Sequence, residues 1–340
     1  MKKYLAAALI LTAAAALIPA FPAYFYSRDR KENDTSQFQL KEFALTENKN
    51  AQKVICSQEP YKVLDIESGQ VLDVSVRDYV IGAVCAEMPA SFHEEALKAQ
   101  AVAAHTYAER QRLRAKASPA PELGGADFSN DTALYQGFFT KEQARERFGE
   151  RFDESYGKIS AAVDEVLPYI ITYDDAPIIA AFHSMSAGYT ESAENVWGTP
   201  VDYLVEVDSR SDLTAPKFRE EKKFSRDELK NALETAFDGI SLGDDMSEWI
   251  RINTISDAGT VLSADVGGKS ATGNDIRLAL GLRSASFDVR IDGDTAVITT
   301  KGYGHGVGMS QYGANAMAEE GKRWRDIIAH YYPDCTIAES

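Results

Sequence analysis

The chain has 340 residues, 44% of them hydrophobic and 26% charged, which excludes a disordered or collagen-like protein and leaves room for one large or two modest domains. Thirty-six Lys and Arg against 52 Asp and Glu give a net charge of −16, so the basic footprint that a nucleic-acid partner requires is missing. Cys56, Cys85 and Cys335 allow one disulfide at most, and no Cys/His cluster stands at zinc spacing, so neither a disulfide framework nor a metal or other cofactor is expected.

In chain order, the first element is an uncharged run from Tyr4 to Ser27 behind Lys2 and Lys3. At ~1.5 Å per residue it is long enough to cross a hydrocarbon core of ~30 Å. A cleaved signal peptide is the competing reading, but its apolar region is usually only ~7–15 residues, and the stretch from Pro19 to Ala23 is a poor cleavage site. Residues 1–31 are therefore expected to form a single transmembrane anchor with its flanks, leaving the rest of the chain outside the cytoplasm. Residues 32–60 are polar and read as a tether, and a folded body spans 61–335.

Within that body, Val71 to Glu87 reads as a strand followed by a short apolar helix or strand. Ser91 with Glu94 makes a capping box for a long helix in which Leu97, Ala101, Ala104 and Ala108 recur at helical spacing to about Lys116. Residues 118–131 form a loop and 141–167 a helix, and 168–182 form two strands joined at Asp174 and Asp175. A more charged stretch at about 205–285 reads as an inserted smaller subdomain. It holds a helix from Ser225 to Phe237, boxed by Glu228, and a hairpin around Gly259. Phe287–Ile291 and Thr295–Thr300 flank Asp292-Gly293-Asp294 as a β-hairpin, and helices near 311–320 and 323–331 follow. The mixture is α+β rather than a regular βαβ alternation.

Several familiar chemistries fail on spacing. His93-Glu94-Glu95-Ala96-Leu97 has a leucine where a zinc-protease helix needs its second histidine. The alternating glycines of Gly302–Gly308 fit neither a dinucleotide fingerprint nor a phosphate loop, and Ser184 and Ser186 lack a nucleophile elbow. Three stretches remain. Glu87 closes a run of small apolar residues just before Pro89. Desolvation there favours the neutral carboxyl that a general acid needs, although Glu87 could equally serve as an ion-pair or helix-start charge. Phe182–Glu191 abruptly gathers an imidazole, hydroxyls and an aromatic ring, which suits either a polyhydroxylated ligand or a hydrogen-bonded turn. In Gly302–Gln311 the glycines allow close backbone approach and leave His305 and Gln311 as polar handles, in a binding segment or in a structural turn.

Taken together, Val76–Pro89, Glu95–Ala104, His183–Trp197 and Gly302–Ala314 resemble the stage II sporulation protein D family, which is related to amidase-enhancer proteins of the cell wall. The resemblance covers most of residues 70–335. It implies a membrane-anchored lytic transglycosylase that cleaves peptidoglycan glycan strands, stripped of stem peptides by a partner amidase, during engulfment of the forespore. A membrane scaffold protein of the engulfment complex is the other implied partner. The family's catalytic glutamate falls on Glu87, and the expected substrate-binding residues are Lys98, Gln100, His183, Ser184, Ser186, Gly188, Tyr189, His305 and Gln311. One acid suffices for such a reaction, because the sugar's own 6-hydroxyl replaces the attacking water; a hydrolysing glycosidase normally needs two carboxylates. Three departures stand out: His105 occupies a position where the family often has arginine, Asp127–Gln136 holds no Cys or His where some relatives bind zinc, and the usual glycine pair of the serine loop is reduced to Ala187-Gly188. Arginine and histidine are not equivalent braces, which keeps open a non-catalytic wall-binding protein that stimulates an amidase.

Overall fold

The computed structural model describes residues 59–131 and 134–339; the expected anchor and nearly all of the tether lie outside the described residues. Among the described residues, no helix is long and apolar enough to cross a membrane.

The body is mixed α+β. Strands β1 (Tyr61–Asp65) and β2 (Gln70–Val74) form an antiparallel hairpin. Helix α1 (Val76–Glu87) is capped by Ser75, whose hydroxyl accepts the Asp78 N–H. It ends at Glu87 because Met88 precedes a proline and is driven into extended backbone (φ −125°, ψ 139°). Helix α2 (Glu94–Ala117) starts later than the Ser91/Glu94 box predicts. Phe92 N–H is taken by Pro89 O in a turn, and the cap is His93, whose Nδ1 accepts the Glu95 N–H at 3.2 Å. A short β3 (Phe128–Ser129) pairs parallel to β1. The helix expected over 141–167 is broken at Gly149 (φ 56°) into α3 (Lys141–Phe148) and α4 (Phe152–Val166). Strands β4 (Tyr169–Tyr173) and β5 (Ala176–Pro177) turn at Asp174 and Asp175, both left-handed, and β5 stops at a residue that cannot donate to a ladder. Then come β6 (Phe182–His183) and α5 (Ala193–Trp197).

The following elements build a second lobe: β7 (Arg219–Ser225), α6 (Arg226–Ala236), β8 (Ile250–Ile255), β9 (Val261–Val266), β10 (Lys269–Ala271), α7 (Gly273–Leu280), β11 (Phe287–Asp292) and β12 (Thr295–Lys301). The chain then closes with β13 (Met309–Ser310), α8 (Gln311–Glu319), α9 (Trp324–Tyr331) and β14 (Thr336–Glu339), the last pairing with β4.

Two hydrophobic cores result. In the first, α2 is the central helix, buried through Ala96, Leu97, Ala99, Ala101, Val102, Ala103, Ala104 and Ala108, and packed on by α1, α4, α8, α9 and β4. Its alanines let those neighbours approach closely, so residues distant in sequence meet along its length. The second core, around Leu233, Trp249, Val266, Ile276, Leu280 and Ile298, is covered by two three-stranded sheets, α6 and α7. It runs past residue 285 because β12 pairs antiparallel with β7, Lys301 opposite Arg219. The chain leaves the first core at Phe218 and returns at Gly302, whose N–H donates to Phe218 O at 2.9 Å.

Candidate active site

Glu87 is half-buried at the last turn of α1. Its Oε1 accepts the backbone N–H of Gly137 at 2.7 Å. Two contacts bring Gly137 there. Gln136 N–H donates to Tyr107 Oη on α2 at 3.2 Å, and Phe139 N–H donates to Gly82 O on α1 at 3.1 Å. Both glycines are steric requirements: a Cβ on Gly82 would fall 2.2 Å from Phe139 O, and one on Gly137 would fall 2.7 Å from Glu87 Oε1. Burial holds the Tyr107 phenol well above its usual pKa, so Tyr107 stays a neutral acceptor for that N–H.

The third sequence stretch reaches the same point. Gln311 opens α8, and its Nε2 donates to the backbone O of Glu87 at 2.9 Å, with Gln100 Oε1 on α2 a longer 3.4 Å away. Both glutamines are buried, and Gln311 supports the Glu87 peptide. Ser310, which caps α8, lies opposite His183 in the parallel β6–β13 pair.

The serine stretch divides into frame and rim. Ser186 is a correction to the expected ligand set: it is buried, and its hydroxyl donates to Asp212 Oδ2 at 2.7 Å. Asp212 is wholly enclosed and also accepts the Ser186 N–H at 2.8 Å, Ser209 Oγ at 3.0 Å and Ser310 Oγ at 2.9 Å. Burial pushes its carboxyl above the usual range against those four bonds. Asp212 thereby ties the serine loop, residues 209–214 and the start of α8 together. Gly188 acts through its backbone, at φ 123° against Leu213. Ser184 is half-buried; its carbonyl accepts the Tyr312 N–H at 3.0 Å, and its hydroxyl takes no partner among the described residues. Tyr189 is 37% exposed.

His183 is also frame, not rim. It is buried, and Nδ1 sits 3.1 Å from Val307 O; a carbonyl only accepts, so Nδ1 carries the proton and Nε2 is left as an enclosed acceptor with no partner. His305 Nδ1 accepts the Val307 N–H at 3.1 Å, and the two imidazoles lie 5.8 Å apart. Burial pushes His183 down to about 4, and burial with the neighbouring His183 and Arg277 pushes His305 down to about 3, so both are neutral near pH 7. His305, with Tyr189, Glu191, Thr260, Ser284 and Lys301, lines a solvent-open crevice between the lobes. Ser256 Oγ, from the second lobe, donates across this seam to Glu191 Oε2 at 2.5 Å.

Lys98 is engaged within the protein: its buried ammonium is held by Glu165 at 2.7 Å, Glu95 at 2.9 Å and Glu94 at 3.5 Å. Burial works against that charge, but the bonds to Glu165 and Glu95 keep its pKa above the usual lysine range. His105 is buried beside Glu109, 3.6 Å away. The same carboxylate accepts Tyr61 Oη at 2.5 Å and an Arg112 N–H, so the departure from the family arginine bears on this structural cluster and not directly on Glu87. Sequence reasoning missed Gly137, Tyr107 and Asp212. Only the Ser209-x-x-Asp212 spacing offered a local hint of the last.

The stage II sporulation protein family model matches residues 66–173, the segment that carries Glu87, α2 and Gly137. Stage II sporulation protein D of Bacillus subtilis (strain 168) is 39% identical over 293 residues, covering 86% of this chain and 83% of that protein. The protein of the same name from Bacillus amyloliquefaciens is 42% identical over 271 residues, 79% of this chain and 76% of that one. An amidase enhancer of B. subtilis is 28% identical over 304 residues but is covered over only 40% of its own length. Identity at this level, spread over most of both sporulation chains, places the protein in the stage II sporulation protein D family.

Proposed function

We propose that the protein is a lytic transglycosylase that cleaves peptidoglycan glycan strands, denuded of stem peptides, to 1,6-anhydro ends with Glu87 as acid and then base. The observation that carries this reading is the fixed Glu87 carboxyl, held by Gly137 N–H where α1, the 136–139 segment and α8 meet. The reaction starts from Glu87 protonated at Oε2, since Oε1 accepts the Gly137 N–H. Oε2–H protonates the glycosidic oxygen as the bond from that oxygen to C1 breaks. The resulting carboxylate then takes the proton of the same sugar's 6-hydroxyl, whose oxygen closes onto C1. Glu87 ends as it began and no water is consumed. The neutral His183 and His305 take no part in the proton transfer, and the Ser184 hydroxyl and Tyr189 ring are the rim groups suited to hold sugars. In this reading the uncharged run at 4–27 anchors the body outside the cytoplasm, between mother cell and forespore. There it follows an amidase that removes stem peptides, within a complex that includes a membrane scaffold protein.

Incubation of the protein with denuded glycan, followed by mass analysis, tests the reaction. The expected products are 1,6-anhydro sugars, and Glu87→Gln lowers their rate by at least ~10²–10⁴-fold, the usual contribution of a positioned acid–base group. Products heavier by one water would mean a hydrolase. The similarity to an amidase enhancer favours one further reading, a non-catalytic stimulator. That reading predicts no cleavage products, and amidase stimulation that survives Glu87→Gln.

A further inference from the structure

We infer that Arg283 and Tyr303 form a subsite, apart from Glu87, for a carboxylate-bearing sugar of the glycan strand; this rests on the glycan-cleaving reading above. In the second lobe three arginines are spent on acids, in Arg226–Asp294, Arg251–Asp265 and Arg290–Asp292. Arg283 is different. Its guanidinium stacks over the Tyr303 ring, 4.5 Å from the centroid, and Nη1 donates to Lys217 O at 2.7 Å. No carboxylate among the described residues lies within ion-pair distance of it. Tyr303 is 44% exposed, although its backbone is pinned to Met185 in both directions, at 2.8 and 3.1 Å. Gly304 N–H donates to Arg283 O at 3.0 Å, so the guanidinium and the ring are held as one rigid unit across the seam between the lobes.

The local field has the same sign. The buried Arg277 guanidinium of α7 is near enough to act electrostatically on both Tyr303 and His305. A chain of net charge −16 thus presents a positive spot beside an exposed aromatic face. An unspent guanidinium fork matches a carboxylate, and a flat ring matches the face of a sugar. Contacts within the protein link the unit to the Glu87 region: Gln311 touches Glu87, Tyr312 is bonded to Ser184, and Met185 is bonded to Tyr303.

Carboxylates in peptidoglycan come from the muramyl lactate or from stem peptides. We assign the lactate. Its carboxyl is tied up in an amide while the stem peptide is attached and becomes an anion only after the peptide is removed, so an arginine lacking a protein acid would select denuded strands.

Calorimetric binding to the Glu87→Gln protein, which removes cleavage from the measurement, tests the assignment with four probes of equal sugar length. These are denuded muramyl glycan, the same glycan with its lactyl carboxyls converted to methylamides, peptide-bearing glycan, and a chito-oligosaccharide with no lactate. The expected result is roughly 10-fold tighter binding of denuded glycan than of the methylamide. Adding Arg283→Gln should bring that ratio to about one, Arg283→Lys should retain part of it because charge survives without the fork, and Tyr303→Ala should weaken all four probes together. Thermal melts of each variant exclude unfolding as the cause. A ratio unchanged by Arg283→Gln, or none in the parent, overturns the subsite; so does tighter binding of peptide-bearing glycan through Arg283, which would assign stem-peptide carboxylates instead. Lactate-dependent binding without cleavage by the unmutated protein leaves the subsite standing and removes the transglycosylase reading. Cleavage with an Arg283-independent ratio does the reverse.

Discussion

At the scale of single residues, the backbone N–H of Gly137 does more than satisfy a carboxylate. It fixes the position of Glu87 Oε1, and any side chain at position 137 would crowd that oxygen. Gly137→Ala would place a methyl group 2.7 Å from Oε1, so the carboxyl or the 136–139 segment must shift. Product release from denuded glycan is expected to fall in kcat by roughly 10–10²-fold with KM little changed, since misplacement near a reacting group costs about that much. Unchanged kcat would mean that the clasp is only structural. In the sequence Glu87 stands out locally as one acid between a small apolar run and a proline, but the family resemblance, not that pattern, implies its catalytic role. Its partners were hidden because Gly137 lies 50 positions away and reaches Oε1 only through contacts at Gly82 and Tyr107. Lys98, two positions from Gln100 on the helix, takes another face, where three acids hold it.

Among elements, the β6–β13 pair and the start of α8 depend on polar groups kept in uncommon states. The two neutral imidazoles make stability depend on pH. The folded-state pKa values, about 4 for His183 and about 3 for His305, lie below the ordinary 6.5. Above pH 6.5 neither the folded nor the unfolded chain binds these protons, and the fold keeps its full stability. As pH falls from 6.5 toward 4, the unfolded chain takes up protons that the folded one refuses, and stability is lost by up to ~1.4 kcal/mol per pH unit for each imidazole. Urea unfolding at pH 7 and pH 5 measures the slope, and His183→Asn, which can keep a donor for Val307 O, is expected to flatten it. An identical slope in the variant would assign the loss to other groups. Regular elements were largely readable: the Ser225/Glu228 capping box and the hairpin closing Asp292 against Thr295 follow from local residues alone. The α2 start and the break at Gly149 were not, because each is decided by a turn that competes with helical periodicity.

For the whole molecule, the second lobe is an excursion whose ends meet. Replacing residues 219–301 with a two-residue glycine turn between Phe218 and Gly302 is expected to give a chain that unfolds cooperatively, because the first core loses none of its own strands or helices. It should melt at a lower temperature, having lost the Ser256–Glu191 and Arg283–Gly304 bonds, and it should no longer distinguish denuded from amidated glycan. Circular dichroism melts and the binding assay check both; failure to fold would show that the lobes form one cooperative unit. The excursion was visible in sequence as a change in charge, but its limits are set by β7–β12 pairing, which composition does not report. The bond from Gln311 to the carbonyl of Glu87 spans 224 positions. A polypeptide still emerging from the ribosome therefore cannot yet have it, and contacts this distant in sequence form late in folding.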